Sequence, residues 1–212
     1  MKKISFLPGG WESAGLEYAY SWRFPGEPVF RQEADCIANS ASPEGPGGFD
    51  YVGFLLPGEF SVGARVEARC SFEGLAAPML TLVDRMETDE RGVLRTLDFY
   101  EAVIWRNGLN IWRHHTAGRN TTHYKALGAG FPLAEGQVHT LSLEMAPQAA
   151  NPDEDGAAAD GGEAPAKSSD KRMVLTVDGI KLDLFIDDLP ERFRLGYSAC
   201  EGVCRLYDIA VG

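Results

Sequence analysis

The chain has 212 residues, of which 44% are apolar and 24% charged, and its formal net charge is −11. This length, with 11 Phe, 7 Tyr and 4 Trp, is sufficient for one sizeable hydrophobic core and excludes a collagen-like or wholly disordered chain. The negative charge argues against a large basic face, so neither a nucleic-acid partner nor a membrane partner is expected.

The amino terminus predicts no export signal. Lys2 and Lys3 imitate the start of a signal peptide, but Pro8 and the two following glycines end the apolar run after four residues. The apolar region of a signal peptide needs about 7–15 residues. No other stretch approaches the roughly 18 apolar residues of a membrane-spanning helix. We therefore expect a cytoplasmic protein.

Alternation of apolar and polar side chains predicts β-strands along most of the chain. It is strict from Phe60 to Cys70, where every second residue contributes to one apolar face. The predicted strands cover 51–56, 60–70, 79–86, 97–105, 109–115, 124–127, 138–145, 173–177, 180–186, 193–199 and 205–211. No long stretch has helical periodicity, so the pattern predicts an all-β protein of antiparallel strands. The aromatic residues of the N-terminal segment are expected to cover a sheet or to form its edge.

Two dipeptides predict tight hairpins. Asn107-Gly108 and Asp178-Gly179 each separate two alternating runs, and both accept the positive φ angles of a type I′ turn. With a two-residue turn at Asn107-Gly108, Glu101 is expected to pair with His114. Alternation then places one set of side chains on a single face of the hairpin: Glu101, Val103, Trp105, Asn110, Trp112 and His114. His114 and His115 are adjacent and should point to opposite faces, so they cannot share a metal ion.

One segment, 147–170, is not expected to contribute to a core. It has six acidic side chains against a single Lys167, and it contains no aromatic or β-branched residue. Such a composition cannot bury enough apolar surface to offset the entropy of ordering. We predict a disordered acidic insertion in a single domain that covers 1–212, and the strands on either side of the insertion must meet.

The four cysteines are predicted to be buried thiols. Cys200 and Cys204 have a spacing that could serve a metal ion, but no second pair of Cys or His completes a site. Cys200 follows Tyr197-Ser198-Ala199 and Cys204 enters the last apolar run, where a buried Cys behaves as a small hydrophobic residue. No metal and no cofactor are predicted.

The order of these elements resembles the concanavalin A-like lectin/glucanase superfamily, whose fold is a jelly-roll sandwich of two antiparallel sheets. The resemblance extends over roughly 49–211 and depends on five sequence stretches. They are GEFSVGARVEA (58–68), YEAVIWRNGLNIW (100–112), FPLAEGQVHTLSLE (131–144), LTVDGI (175–180), and FRLGYSA (193–199) leading to YDIAV (207–211). The resemblance implies the fold but not one activity, because members include lectins, hydrolases and domains of no known activity.

The sequence does not predict the glycosidase activity that some members of this superfamily have. Laminarinase-type members have a Glu-x-Asp-x-x-Glu strand motif, which this sequence lacks. The nearest strand carboxylates, Asp98 and Glu101, are three residues apart and are expected on opposite faces. The metal-binding loop of legume lectins is not recognisable either.

The sequence favours a non-catalytic carbohydrate-binding domain. Its predicted ligand-binding residues are Glu101, Trp105, Asn110, Trp112 and His114, because indoles stack on sugar rings while carboxylate, amide and imidazole groups bind hydroxyls. Two alternatives remain: a glycan hydrolase or lyase that uses Glu101 with His114, and a structural or oligomerising sandwich. The sequence leaves open whether Trp105 and Trp112 line a cleft or fill the core, and it leaves the oligomeric state open.

Overall fold

A computed structural model describes residues 1–20, 30–39, 52–118, 120–147, 171–186 and 189–212. These ranges form fifteen β-strands. The strands are β1 (Lys2–Ser5), β2 (Glu17–Tyr20), β3 (Phe30–Gln32), β4 (Ile37–Asn39), β5 (Val52–Leu55), β6 (Arg65–Phe72), β7 (Ala77–Thr88), β8 (Leu94–Trp105), β9 (Gly108–Ala117), β10 (Asn120–Gly130), β11 (His139–Pro147), β12 (Lys171–Val177), β13 (Ile180–Ile186), β14 (Arg194–Cys200) and β15 (Cys204–Val211). Within the described ranges, no helix has the length and apolar character required to span a membrane.

The strands form two sheets. The eight-stranded sheet has the order β13-β12-β11-β6-β15-β4-β3, and β1 pairs with β15. The seven-stranded sheet has the order β10-β9-β8-β2-β5-β14-β7, and β7 pairs in addition with β8. All of these pairings are antiparallel except the short parallel contact between β2 and β8. The predicted all-β, antiparallel sandwich is confirmed.

The hydrophobic core lies between the two sheets. Alternate side chains of β6 and β11 enter it from one sheet, among them Val66 and Leu141, and both are fully buried. Tyr100, Ile104 and Ile111 enter it from β8 and β9 of the other sheet. We call the side of β8–β10 that faces this core the inner face and the opposite side the outer face.

Each predicted strand overlaps an observed one, but the strand predicted over 60–70 begins only at Arg65. Phe60 instead forms an isolated bridge with Phe193. A turn follows, in which the Ala64 N–H donates to the Ser61 carbonyl, and Gly63 adopts a φ of 99°. The strand predicted over 60–64 is therefore wrong. The apolar side chains of this turn, Phe60, Val62 and Ala64, also pack against the core, and this produces the alternating pattern without a strand.

The N-terminal strands were not predicted individually. β1 to β4 have only three or four residues each, too few for a period-two pattern to stand out. β2 lies between β5 and β8 within the seven-stranded sheet, so the expectation that this segment covers a sheet or forms its edge is wrong for β2. Trp22 and its neighbours in 21–29 lie outside the described residues.

The two predicted hairpins differ in outcome. Val177 pairs with Ile180, and both Asp178 and Gly179 have positive φ angles, as a type I′ turn requires. At the other hairpin Trp105 pairs with Gly108, so the turn residues are Arg106 and Asn107 and the predicted register is wrong by two residues.

Close packing explains the shifted register. A Cβ atom at Gly108 would lie 2.1 Å from the Ala129 carbonyl oxygen of β10. The glycine is therefore needed where β10 passes close to β9, and it belongs to a strand rather than to the turn. Since the shift is two residues and side chains alternate with period two, every side chain keeps its predicted face.

The strands on either side of the acidic segment meet as predicted. Leu141 of β11 pairs with Val177 of β12, and the ladder continues to Pro147 and Lys171. The insertion is predicted to begin at Pro147, but this residue pairs with Lys171 and belongs to β11. The predicted disorder of 148–170 concerns residues outside those described.

All four cysteines are buried, and none of them forms a disulfide bond. Burial raises the pKa of the Cys36 thiol to about 12 and that of the Cys204 thiol to about 12. Burial also raises the pKa of Cys70. Thiols in such surroundings remain protonated and inert, as expected of core cysteines.

Candidate functional site

The outer face of β8 and β9 carries the predicted ligand-binding residues. Glu101, Trp105, Asn110, Trp112 and His114 all lie there, because the residues between them, such as Ala102 and Ile111, belong to the sandwich core. The pairing inside this set differs from the prediction. Glu101 lies opposite Trp112, and His114 lies opposite Phe99.

Glu101 and His114 nevertheless bind each other along the diagonal of the hairpin. Glu101 Oε2 lies 2.9 Å from His114 Nε2. The two residues are only 3% and 0% exposed. The His114 ring also stacks on Phe99, with ring centroids 4.3 Å apart and planes 3° from parallel. This acid–imidazole pair is therefore enclosed within the outer face rather than presented to solvent.

Trp112 lies next to this pair and is half-buried. One part of its indole packs on a small apolar cluster of the outer face, which is formed by Ala77, Met79, Val103 and Cys200. Trp112 thus does not belong to the main core between the sheets. A half-buried indole on a sheet surface leaves aromatic area for a ligand, which the fully buried core aromatics do not.

Trp105 is held in place by Asn110. With the Asn110 amide oriented to satisfy both groups, its oxygen accepts a hydrogen bond of 3.3 Å from the Trp105 indole N–H. The Asn110 nitrogen donates to the Leu109 carbonyl at 3.1 Å. Asn110 therefore orients the second half-buried indole of the outer face, a role for which the sequence offered no signal.

β10 adds two side chains that the sequence reasoning missed. His123 pairs with His114 and Lys125 with Trp112, so both point to the outer face. The His123 ring centroid lies 6.0 Å from that of Trp112 and 5.8 Å from that of His114. The Lys125 ammonium lies 5.7 Å from the centre of the Trp112 ring. The strand predicted over 124–127 contains Lys125 but not His123, and nothing in the sequence indicated that this strand pairs with β9.

The inner face holds a separate ionic cluster at the other end of β8 and β9. Arg85 donates to both oxygens of Asp98, at 2.7 and 3.2 Å, and to the Thr116 carbonyl. His115 Nδ1 lies 3.0 Å from Asp98. Burial alone would raise the pKa of Asp98, but the hydrogen bonds of Arg85 and of the Thr116 N–H, with the charges beside them, lower it below its usual range.

These positions confirm two predictions about geometry. Asp98 and Glu101 point to opposite faces of β8, and His114 and His115 point to opposite faces of β9. In the described part of the chain, no group of three or more His, Cys, Asp or Glu side chains is arranged to hold a metal ion.

Three solved structures are similar to the chain over most of its length. The carbohydrate-binding module CBM66 from Bacillus subtilis has a TM-score of 0.56 and 9% identity, covering 94% of this chain and 96% of the module. β-Agarase A from Zobellia galactanivorans has a TM-score of 0.60 and 12% identity, and the match covers 99% of this chain and 87% of the agarase. The catalytic domain of an endo-1,3-β-glucanase (laminarinase) from Thermotoga petrophila RKU-1 has a TM-score of 0.54 and 12% identity. The match covers 100% of this chain and 96% of that domain.

The chain has the concanavalin A-like jelly-roll fold. Neither a protein-family model nor a curated protein matches the sequence, so the likeness is one of fold. Within this jelly roll the outer face of β8–β10 combines two half-buried indoles, an amide, an imidazole and an ammonium group. Such a surface is suited to binding a polar ring compound.

Proposed function

We propose that this jelly roll is a non-catalytic carbohydrate-binding domain whose ligand lies on the outer face of β8–β10. The observation that carries the proposal is Trp112, a half-buried indole outside the main core with Lys125 and His123 beside its ring. The C–H groups of a sugar ring pack on such an indole, while the neighbouring polar groups bind its hydroxyls. The solved structures to which the chain is similar include a carbohydrate-binding module, an agarase and a laminarinase, and this supports a carbohydrate ligand at the level of the fold.

The buried state of the acid–imidazole pair favours binding over catalysis. General acid–base catalysis requires that the proton-carrying group reaches the reacting oxygen directly or through one water molecule. Glu101 and His114 are almost completely enclosed, and the paired strand carboxylates of the laminarinase motif are absent from the sequence. A hydrolase or lyase that uses this pair would release new reducing ends from an oligosaccharide, and we expect none.

Trp112→Ala tests the proposal by calorimetric titration against a panel of neutral and acidic oligosaccharides. We expect the variant to raise the dissociation constant of the bound oligosaccharide at least tenfold, because the stacking surface is lost. We expect the free energy of unfolding to fall by about 1–2 kcal/mol, less than the roughly 3–5 kcal/mol for a fully buried Trp.

Tyr124→Ala is the matched control. Tyr124 is an aromatic residue of the neighbouring strand β10, it is 59% exposed, and it lies on the inner side because it pairs with Arg113. Its removal should leave oligosaccharide binding unchanged. Absence of binding to the whole panel by the unaltered protein, or equal losses in the two variants, would contradict the proposal.

A further inference from the structure

Charge is distributed very unevenly along this acidic chain. Between Glu101 and Glu135 there is no Asp or Glu, although the net charge of the whole chain is −11. The same stretch contains three of the four histidines and four basic residues: His114, His115, His123, Arg106, Arg113, Arg119 and Lys125. This stretch includes β9 and β10, the two outermost strands on one side of the seven-stranded sheet.

The fold distributes these groups between the two faces. Arg113 turns to the inner face, where its guanidinium binds Asp84 at 2.8 Å and lies over the Tyr100 ring. His115 turns to the same side and binds Asp98. On the inner face, Arg113 and His115 are thus each bound to a carboxylate of the protein.

The outer face is different. Lys125 and His123 are both exposed there. The ammonium group of Lys125 lies 5.7 Å from the centre of the Trp112 ring, and no carboxylate within the described ranges forms an ion pair with it. Glu101 is the acidic residue on this face of β8, and its carboxylate is buried against His114. The exposed part of the outer face around Trp112 therefore presents the ammonium group of Lys125 and the imidazole of His123 beside an aromatic ring.

We infer that the ligand of this face is an anionic glycan, one that carries carboxylate or sulfate groups; this inference rests on the proposed carbohydrate-binding function. A sugar ring stacked on Trp112 at about 4 Å, the usual contact distance, brings an acidic substituent at its edge next to the Lys125 ammonium. His123 lies on the same side of the indole and supplies a second polar partner. Charge complementarity therefore selects an acidic sugar over a neutral one.

Calorimetric titrations with three oligosaccharides of equal length test this inference: one neutral, one bearing uronate carboxylates and one bearing sulfate esters. We expect the unaltered protein to bind at least one acidic oligosaccharide about tenfold more tightly than the neutral one. That preference should shrink when the salt concentration is raised from about 50 to 200 mM. The two acidic ligands distinguish carboxylate from sulfate as the group recognised.

Two variants test whether Lys125 is the source of the preference for acidic oligosaccharides. Lys125→Gln should raise the dissociation constant for the preferred acidic oligosaccharide about tenfold and leave that for the neutral one unchanged. Lys2→Gln removes the same charge from an exposed position of β1 in the other sheet and should change neither constant.

The outcomes separate this inference from the proposed function. Equal binding of neutral and acidic oligosaccharides would overturn the inference and leave carbohydrate binding intact, whereas no binding of any oligosaccharide would overturn both. Equal losses in Lys125→Gln and Lys2→Gln would overturn the inference by showing a long-range effect of net charge. Equally tight binding of poly-glutamate or single-stranded RNA would overturn it by showing a general affinity for polyanions.

Discussion

The adjacent residues His114 and His115 each bind a carboxylate of β8, but they do so on opposite faces of one hairpin. His114 is fully enclosed with Glu101 and stacked on Phe99. The side chain of His115 is 55% exposed, and its partner Asp98 is also bound by Arg85. Two pairs of the same chemical type therefore differ in their surroundings: the first is enclosed in the protein, whereas the second is open to water and shares its carboxylate with Arg85.

The largest expected effect comes from breaking the enclosed pair. His114→Ala removes a hydrogen-bond donor from a buried carboxylate and leaves a cavity beside Phe99, so we expect the free energy of unfolding to fall by about 3 kcal/mol. Urea denaturation at neutral pH measures this loss. Glu101→Gln, which keeps the size of the side chain, should cost less than His114→Ala. A larger cost for Glu101→Gln would show that the imidazole is not what compensates the buried carboxylate.

The ionic pair of the inner face should respond to pH. The pKa of Asp98 is lowered in the folded protein, while that of an unfolded Asp is about 3.9. The stabilisation by this carboxylate is therefore complete above the unfolded pKa and is lost as the pH falls through the lower folded pKa. We expect Asp98→Asn to reduce the free energy of unfolding by about 1–2 kcal/mol at pH 7.

Denaturant unfolding at several pH values measures how the stabilisation by the Asp98 carboxylate changes with pH. The difference between Asp98→Asn and the unaltered protein should shrink steadily as the pH is lowered below about 4. A difference that stays constant down to about pH 2 would mean that Asp98 acts through its shape and its hydrogen bond with Thr116 rather than through its charge.

The smallest effect is expected for the exposed histidine. His115→Ala removes a side chain in contact with solvent, whose partner Asp98 keeps Arg85. Exposed ion pairs contribute little, so the free energy of unfolding should change by no more than about 0.5 kcal/mol. The same urea titration that measures His114→Ala measures it. Losses of similar size at the two neighbouring histidines would contradict the contrast between the faces.

Alternation predicted which face each side chain takes, and that part of the site followed from the sequence. The set that contains Trp105, Trp112 and His114 was placed on one face even though the register was wrong by two residues. The register itself depends on the contact between Gly108 and Ala129 of β10. The sequence of a hairpin does not show which third strand will pack beside it. Turn preferences alone therefore predicted the wrong residue pairs between β8 and β9.

The third strand also explains what the sequence reasoning missed in the site. The ladder of β9 and β10 is irregular between Lys125 and Leu127, where β10 has a bulge at Ala126. A bulge shifts the alternation of the strand, so the pattern of β10 could be followed for only a few residues. His123 and Lys125 therefore joined the predicted residues only through the pairing seen in three dimensions.

The pairing of β7 with both β14 and β8 leaves β10 as the end of its sheet that has a single partner among the described strands. A strand edge of this kind is where another polypeptide could add by backbone hydrogen bonding and start aggregation. A bulge and an exposed lysine are two of the features by which proteins make such an edge unsuitable for addition. We therefore expect Lys125 and the irregularity beside it to oppose edge-to-edge association, so that removing this charge lowers the solubility of the protein.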